Sequence, residues 1–294
     1  MKIKQLLLVL FIFIASSILS CGSVVVEEDL EPNLDISLEA GVYSRDALSG
    51  EWTRFSDSAS VITVGDIDDD GLDDMIGQWN DQGGVFVEYA ASGTWEKMGA
   101  TGQTFIACDY TGNNHDDLIG SWADQGVYFR HADTGVWEQI TTATPWITCL
   151  DLDDDGTDDL VGNWNNELYA YMSTQSDWVK LSSGAVNDLA ACNIGGDKKL
   201  DLVVAWVDNG VYYRDTNTQE WHQLLLEGDL ITCADVNNDG ANDIVYGIRS
   251  VLNPGLWVKY TGEKDSVNLS TAVPVDISAG DLNDDGKDDL IMTW

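Results

Sequence analysis

From residue 41 onward, short runs of Val, Ile, Leu and aromatic residues alternate with clusters of Gly, Asp, Asn and Thr. One unit shows the order. Asp117-Leu-Ile-Gly-Ser-Trp122 is followed by the turn Ala123-Asp-Gln-Gly126 and then by Val127-Tyr-Phe-Arg130. A second turn, Asp133-Thr-Gly135, leads into Trp137-Glu-Gln-Ile140. An apolar stretch such as Trp146-Ile-Thr-Cys-Leu150 precedes each Asp-rich turn. β-Branched and aromatic segments bounded by Gly and Asp predict strands, four to a unit. Beyond the N-terminal apolar run no segment holds a helical period, so no helices are expected there.

The unit repeats. Asp66-Ile-Asp-Asp-Asp-Gly-Leu-Asp-Asp74 recurs at Asp151, Asp235 and Asp281, with weaker copies at Asp109 and Asn193. The starts lie 43, 42, 42, 42 and 46 residues apart. Four strands in each unit of this length predict the blades of an all-β propeller. The two ends give the blade count. Gly41–Arg45 and Ser49–Trp52 match third and fourth strands, whereas Asp281–Trp294 supplies first and second strands. Joining them makes a sixth blade from two N-terminal and two C-terminal strands, which removes both free sheet edges. The expected architecture is a six-bladed β-propeller over 37–294, with four-stranded blades closed in this two-plus-two manner.

Oxygen-bearing side chains stand at positions 1, 3, 5 and 9 of the strong Asp loops, and Gly at position 6 permits a left-handed backbone. Hard oxygen donors at this density, without Cys or His, suit Ca²⁺. An EF-hand would need Glu at position 12, which here is Gly77, Gly120, Gly162, Val204, Tyr246 or Met292. Without a cation, two carboxylates ~4 Å apart repel by about 4 kcal/mol at an effective dielectric of 20.

The pattern D-x-D-x-D-G-x-x-D between two strands resembles the calcium loops of FG-GAP/VCBS repeats, as in integrin α-chain propellers. The resemblance spans residues 37–294. Carried onto this chain, it implies calcium on Asp66, Asp68, Asp70 and Asp74 in loop one, and on Asp151, Asp153, Asp155 and Asp159 in loop three. Loop five would use Asp235, Asn237, Asp239 and Asp243, and loop six Asp281, Asn283, Asp285 and Asp289. The position-7 carbonyls of Leu72, Thr157, Ala241 and Lys287 would complete the shells. Loop two (Asp109, Thr111, Asn113, Asp117) offers two carboxylates and a weaker site. In loop four, Asn193, Gly195, Asp197 and Asp201 stand with Lys198 and Lys199, and no metal is expected. The implied cofactor is Ca²⁺ at about four sites, with loop two as a weaker fifth, in a structural role.

Charge narrows the partners. With 14 Lys+Arg against 51 Asp+Glu, the 294-residue chain carries −37. Such a surface repels phosphate backbones and anionic lipid and excludes nucleic acid as a partner. At the N-terminus, Lys2 and Lys4 precede an apolar run from Leu6 to Ile18 that falls short of the ~20 residues of a membrane span. Ile18-Leu-Ser-Cys21 resembles a bacterial lipobox. That resemblance implies a signal peptide at 1–20, lipidation of Cys21, a flexible tether over 21–36 and attachment to the outer membrane or cell surface. Plain cleavage, giving a periplasmic or secreted protein, is the alternative. The only membrane contact expected is through the lipid.

Cys108, Cys149, Cys192 and Cys233 lie on first strands in two registers. Successive strand residues face opposite ways. One facing pairs Cys108 with Cys149 and Cys192 with Cys233. The other pairs Cys149 with Cys192 and leaves two thiols alone. A third reading is four small buried thiols, while an even count in an exported protein favours the two bridges.

Trp79, Trp122, Trp164, Trp206 and Trp294 end the second strands, opposite the Asp loops. They read either as wedges between blades or as a sugar-stacking face. A second set, Trp52, Trp95, Trp137, Trp178 and Trp221, reads as structural. The three His are not equivalent to one another, and no nucleophile, zinc or phosphate-loop motif occurs. The sequence therefore predicts a non-catalytic binding protein for a protein or glycan ligand, with a polysaccharide-degrading enzyme the least favoured reading.

Overall fold

The computed structural model describes residues 39–294 apart from 47, 48, 80, 133, 238 and 284. The expected signal peptide, lipidated Cys21 and tether lie outside these residues. Every regular element described is a strand, and the strands form six four-stranded antiparallel sheets. Blade 1 comprises Val61–Gly65, Asp74–Trp79, Gly84–Tyr89 and Thr94–Gly99. Blade 2 comprises Thr104–Cys108, Asp117–Trp122, Gly126–Arg130 and Trp137–Thr141. Blade 3 comprises Ile147–Leu150, Asp159–Trp164, Glu167–Met172 and Asp177–Ser183. Blade 4 comprises Val186–Cys192, Asp201–Trp206, Gly210–Arg214 and Trp221–Leu225. Blade 5 comprises Leu230–Ala234, Asp243–Ile248, Gly255–Lys259 and Val267–Ser270.

Blade 6 is assembled from both ends. Asp276–Gly280 pairs with Asp289–Thr293, which pairs with Val42–Arg45, which in turn pairs with Trp52–Ser56. Val42 lies opposite Thr293 and Arg45 opposite Leu290. Beyond this ladder Gly41 and Trp294 exchange N–H to carbonyl bonds of 3.3 and 3.0 Å. The chain is a six-bladed β-propeller closed two-plus-two, as its sequence predicts.

Each second strand is covered on both sides by neighbouring blades, so Asp201–Trp206 and Asp243–Ile248 are buried throughout. This explains their continuous apolar reading, because a strand buried on both faces loses its alternation. The outer strands, such as Thr94–Gly99, are largely exposed. The apolar core is divided among the blade interfaces. Leu150, Val161 and Leu168 of blade 3 pack on Val186, Leu202 and Val204 of blade 4, and equivalent clusters fill the other joints.

Candidate functional site: the loop face, the channel and the interblade clefts

All six Asp loops connect a first strand to a second, so they share one face of the molecule. They fold alike through side chain to backbone bonds. In loop one the Asp66 carboxylate accepts from the N–H groups of Asp70 (3.1 Å) and Gly71 (2.9 Å), and Asp70 accepts from Leu72 N–H at 3.0 Å. The same pattern recurs with Asp151 and Asp155 in loop three, Asp235 and Asp239 in loop five, and Asp109 and Asn113 in loop two. In loop six the Asp281 carboxylate accepts from Asp285 and Gly286, and in loop four Asn193 accepts from Lys198. Position 6 is left-handed in every loop: Gly71, Gly156, Gly240 and Gly286 have φ of 79–90°, and Asn114 and Lys198 have 63° and 71°.

The structure brings candidate ligand oxygens together in two of the loops most plainly. Oxygens of Asp66, Asp68 and Asp70 lie within 4.8 Å of one another, as do those of Asp151, Asp153 and Asp159. Asp68 and Asp153 are held above the ordinary carboxylate range by loss of hydration first, then by the neighbouring Asp charges.

Position 9 has a structural role that the sequence did not reveal. Asp74, Asp117, Asp159 and Asp243 are fully buried. In loop one Asp74 accepts from Ile67 N–H in its own loop (3.1 Å) and from Ala90 N–H in the turn between strands three and four (2.9 Å). Asp159 and Asp117 make the equivalent pairs. Asp243 accepts from Thr261 N–H at 2.8 Å and also faces the N–H of Asn237 in its own loop. Burial pushes Asp74, Asp159, Asp201 and Asp243 up to about 6 against the opposing effect of these N–H donors.

Position 8 joins the blades, a role that sequence reasoning missed. Asp73 of blade 1 accepts from Asp281 N–H of blade 6 at 2.8 Å and returns its own N–H to the Asp281 carbonyl at 3.2 Å. Asn242 and Asn193 exchange the same two bonds between blades 5 and 4. Asp116 accepts from Asp66 N–H, Asp288 accepts from Asp235 N–H, and Asp158 donates its N–H to the Asp109 carbonyl. Between blades 3 and 4 position 8 is Leu200, and there Lys199 reaches Asp154 at 3.0 Å. Lys199 of loop four therefore bonds the neighbouring loop. The available signal was the recurrent Asp or Asn at position 8.

Asp116 and Asp158 also line the central channel of about 360 Å³, together with first-strand residues of all six blades. Burial raises Asp116 to about 7 and Asp158 to about 6, with further contributions from Asp73 and Asp109 respectively. Toward the opposite face Asp188 accepts from Ile231 N–H and Asp276 from Ile62 N–H, each at 2.9 Å. Burial pushes them up to about 7 and about 6.

The four cysteines form two disulfides, Cys108–Cys149 between blades 2 and 3 and Cys192–Cys233 between blades 4 and 5. Their Cα–Cα distances are 6.4 and 5.6 Å.

On the face opposite the loops, the second-strand tryptophans fold back over the strand. The positions two residues earlier explain why blades 1–3 carry Gly at position 12. A Cβ added at Gly77, Gly120 or Gly162 would meet the ring of Trp79, Trp122 or Trp164 at 2.3–2.6 Å. The indole N–H groups reach into the connection from the preceding blade: Trp79 to the Asp57 carbonyl (2.9 Å), Trp122 to Ala100 (3.2 Å) and Trp164 to Thr142 (2.9 Å). Trp79 and Trp206 are only 4% and 8% exposed. The Trp294 indole N–H is buried without a partner. Exposure is greatest at two fourth-strand rings, Trp95 at 45% and Trp178 at 40%, while Trp52, Trp137 and Trp221 are half-buried, as are Trp122, Trp164 and Trp294. Rings of the two sets meet edge to face, 5.0 Å apart for Trp79–Trp95, 5.1 Å for Trp122–Trp137 and 5.2 Å for Trp164–Trp178.

No family model matches the chain, and no curated protein matches it in sequence. Solved structures do resemble it. An auxiliary nutrient binding protein from Bacteroides thetaiotaomicron aligns at 12% identity and TM-score 0.51, over 80% of this chain and 68% of that one. BBS1N, solved in complex with ARL6DN, aligns at 13% identity and TM-score 0.50, over 82% and 74%. The V. cholerae biofilm matrix protein Bap1 aligns at 16% identity and TM-score 0.37, over 59% of this chain, which spans only 30% of that protein. At these identities the likeness is one of fold alone.

Proposed function

We propose that this protein is a calcium-stabilised, non-catalytic propeller of the cell envelope that offers its faces to a protein or glycan ligand. The observation that carries the calcium reading is the convergence of carboxylate oxygens in loops one and three, where those of Asp66, Asp68 and Asp70, and those of Asp151, Asp153 and Asp159, lie within 4.8 Å of one another. Carboxylates held this close repel one another unless a cation lies between them, and the same donor positions recur at Asp235, Asn237, Asp239 and Asp243. The donor set fits the ion, being all oxygen. Calcium would link strand one to strand two at the loop face and would supply no reacting group.

Export is supported by the Lys-then-apolar N-terminus ending at Cys21 and by two disulfides, which persist in oxidising compartments. The non-catalytic reading is supported by the placement of two of the histidines. His115 and His131 sit against the surface carboxylates of Asp69 (3.4 Å) and Glu138 (3.6 Å). A fold-level likeness to a nutrient binding protein is compatible with binding but does not fix it.

The test is a thermal melt of residues 22–294, non-reducing, in millimolar Ca²⁺ and in excess EDTA. A site saturated at ~1,000 times its Kd contributes about 4 kcal/mol, so several sites predict a steep fall in Tm in EDTA. An unchanged Tm would overturn the calcium assignment while leaving the propeller intact.

A further inference from the structure

Two interblade clefts on the face opposite the Asp loops share a set of groups. At blade 1, Trp79 and Trp95 meet at 76° with centroids 5.0 Å apart, beside Phe86 and Gln82, in a cavity of about 260 Å³. At blade 4, Trp206 and Trp221 meet at 60° and 5.9 Å, beside Tyr212 and Asn209, in a cavity of about 270 Å³. Gln82 and Asn209 occupy the same repeat position, sixteen residues after the start of their Asp loops. The opposite wall of each cleft comes from the preceding blade and carries Ser56 or its equivalent Ser182, four residues after Trp52 and Trp178. At the joints leading into blades 2, 3 and 5 that serine is replaced by Gly99, Thr141 and Leu225, and at the joint into blade 6 it is kept as Ser270. The combination of serine, two crossed indoles, a third aromatic and a side-chain amide thus occurs at blades 1 and 4. These blades stand on opposite sides of a six-bladed ring.

We infer that these clefts are a pair of binding sites for neutral sugar rings, an inference that rests on the binding role proposed above and names its ligand class and place. An exposed indole such as Trp95 offers a flat apolar surface to the C–H face of a pyranose. The second indole closes the cleft at its back. In blade 1 that wall is fixed, because Trp79 Nε1 donates to Ser56 Oγ at 3.1 Å and to the Asp57 carbonyl at 2.9 Å. The exposed amides of Gln82 and Asn209 present both a donor and an acceptor to ring hydroxyls. Each cavity has room for about one ring. The −37 charge of the chain disfavours uronic or sulfated sugars. Crossed aromatic rings also suit organic cations. Asp57 and Asp81 line the blade 1 cleft, where the Lys97 ammonium also lies 5.6 Å from the Phe86 ring, but the blade 4 cleft is lined by no carboxylate. The groups shared by the two clefts are therefore those for a neutral polyol. Two sites across the ring would let the protein bridge or grip a polysaccharide, with avidity beyond that of either site.

The test is calorimetry on the exported chain with the methyl glycosides of D-glucose, D-galactose, D-mannose and L-fucose, beside tetramethylammonium chloride. At least one glycoside is expected to bind with a stoichiometry near two. Trp95→Ala and Trp221→Ala should each lower it to near one, and the double variant should abolish binding with at least a tenfold loss of affinity. Trp95→Phe should retain binding. If Trp221→Ala fails to fold by circular dichroism, Asn209→Ala, an exposed change, takes its place and should weaken that site tenfold. Silence with all four glycosides, binding that ignores these variants, or heat from tetramethylammonium alone overturns the inference. Because the EDTA melt reads only the loops, failure here with a calcium-dependent Tm would remove the sugar sites and leave the calcium assignment standing.

Discussion

Position 6 of the loops shows how one backbone angle is written into a sequence. The four Gly at this position have a positive φ and no atom within 4 Å of the place a Cβ would occupy. Gly71→Ala therefore introduces strain without a clash and should cost about 1–2 kcal/mol. Lys198 adopts the same angle, φ 71°, without the freedom of glycine. Lys198→Gly should stabilise the fold by up to about 1 kcal/mol, since it relieves that strain while the N–H bond to Asn193 is kept. Paired chemical denaturation of the two variants checks both signs. Opposite behaviour, with Lys198→Gly destabilising, would show that the loop does not require the left-handed angle. Position 12 rests on a different cause. Gly120→Ala drives a methyl group into Trp122 and to within 2.8 Å of Phe105, so overpacking should cost about 1–3 kcal/mol in the same measurement.

The loop with its two strands is the element that the sequence states most clearly, and it also shows where reading stops. The spacing of Asp66, Asp151, Asp235 and Asp281 exposes the repeat, because a side chain that bonds its own backbone must sit at a fixed offset. The two disulfides match the favoured pairing for the same reason: strand alternation decides which way a residue points. The work of position 8 was not legible, since Asp73 and Asp116 bond residues 208 and 50 positions away and only the closed ring brings them together. The sequence left the second-strand tryptophans open between wedges and a ligand face because both sets recur with one period. Which ring lies underneath depends on how far each blade overlaps its neighbour, so Trp79 is covered and Trp95 stands out.

Asp188 supplies a pH test at this scale. Its carboxyl group is raised to about 7 by burial, with the Asp276 charge adding to the shift and Arg249 opposing it, against 3.8 unperturbed. The native state then holds a proton that the unfolded chain has released, so stability is fullest below pH ~4 and falls as pH rises toward 7. In EDTA, Tm should therefore decline from pH 5 to pH 7.5, and Asp188→Asn should flatten that decline. A slope identical in the two proteins would mean that Asp188 is ionised in the fold.

For the whole molecule, stability comes from closure. Each disulfide spans 41 residues, and in the chain-entropy model such a loop contributes about 4 kcal/mol. Reduction with a thiol should lower Tm, and Cys149→Ser should reproduce roughly half of the loss. A melt insensitive to reductant would show that the interblade clusters alone hold the ring. Because the bridges join first strands while the Asp loops cap the same strands, reductant and EDTA together should cost more than either alone.

The seam of the ring carries no covalent link. The bridges make two rigid arcs, blades 2–3 and blades 4–5, while blade 6 is completed by the backbone ladder between Val42–Arg45 and Leu290–Thr293. A pull on the chain ahead of Val42 would meet first the bonds that Tyr43 Oη and Arg54 Nη2 donate to the Glu39 and Ala40 carbonyls, and then the backbone pair between Gly41 and Trp294, the outermost rungs of that ladder. In mechanical terms blade 6 is a fuse: the joint that completes the circle is also the one through which load arrives.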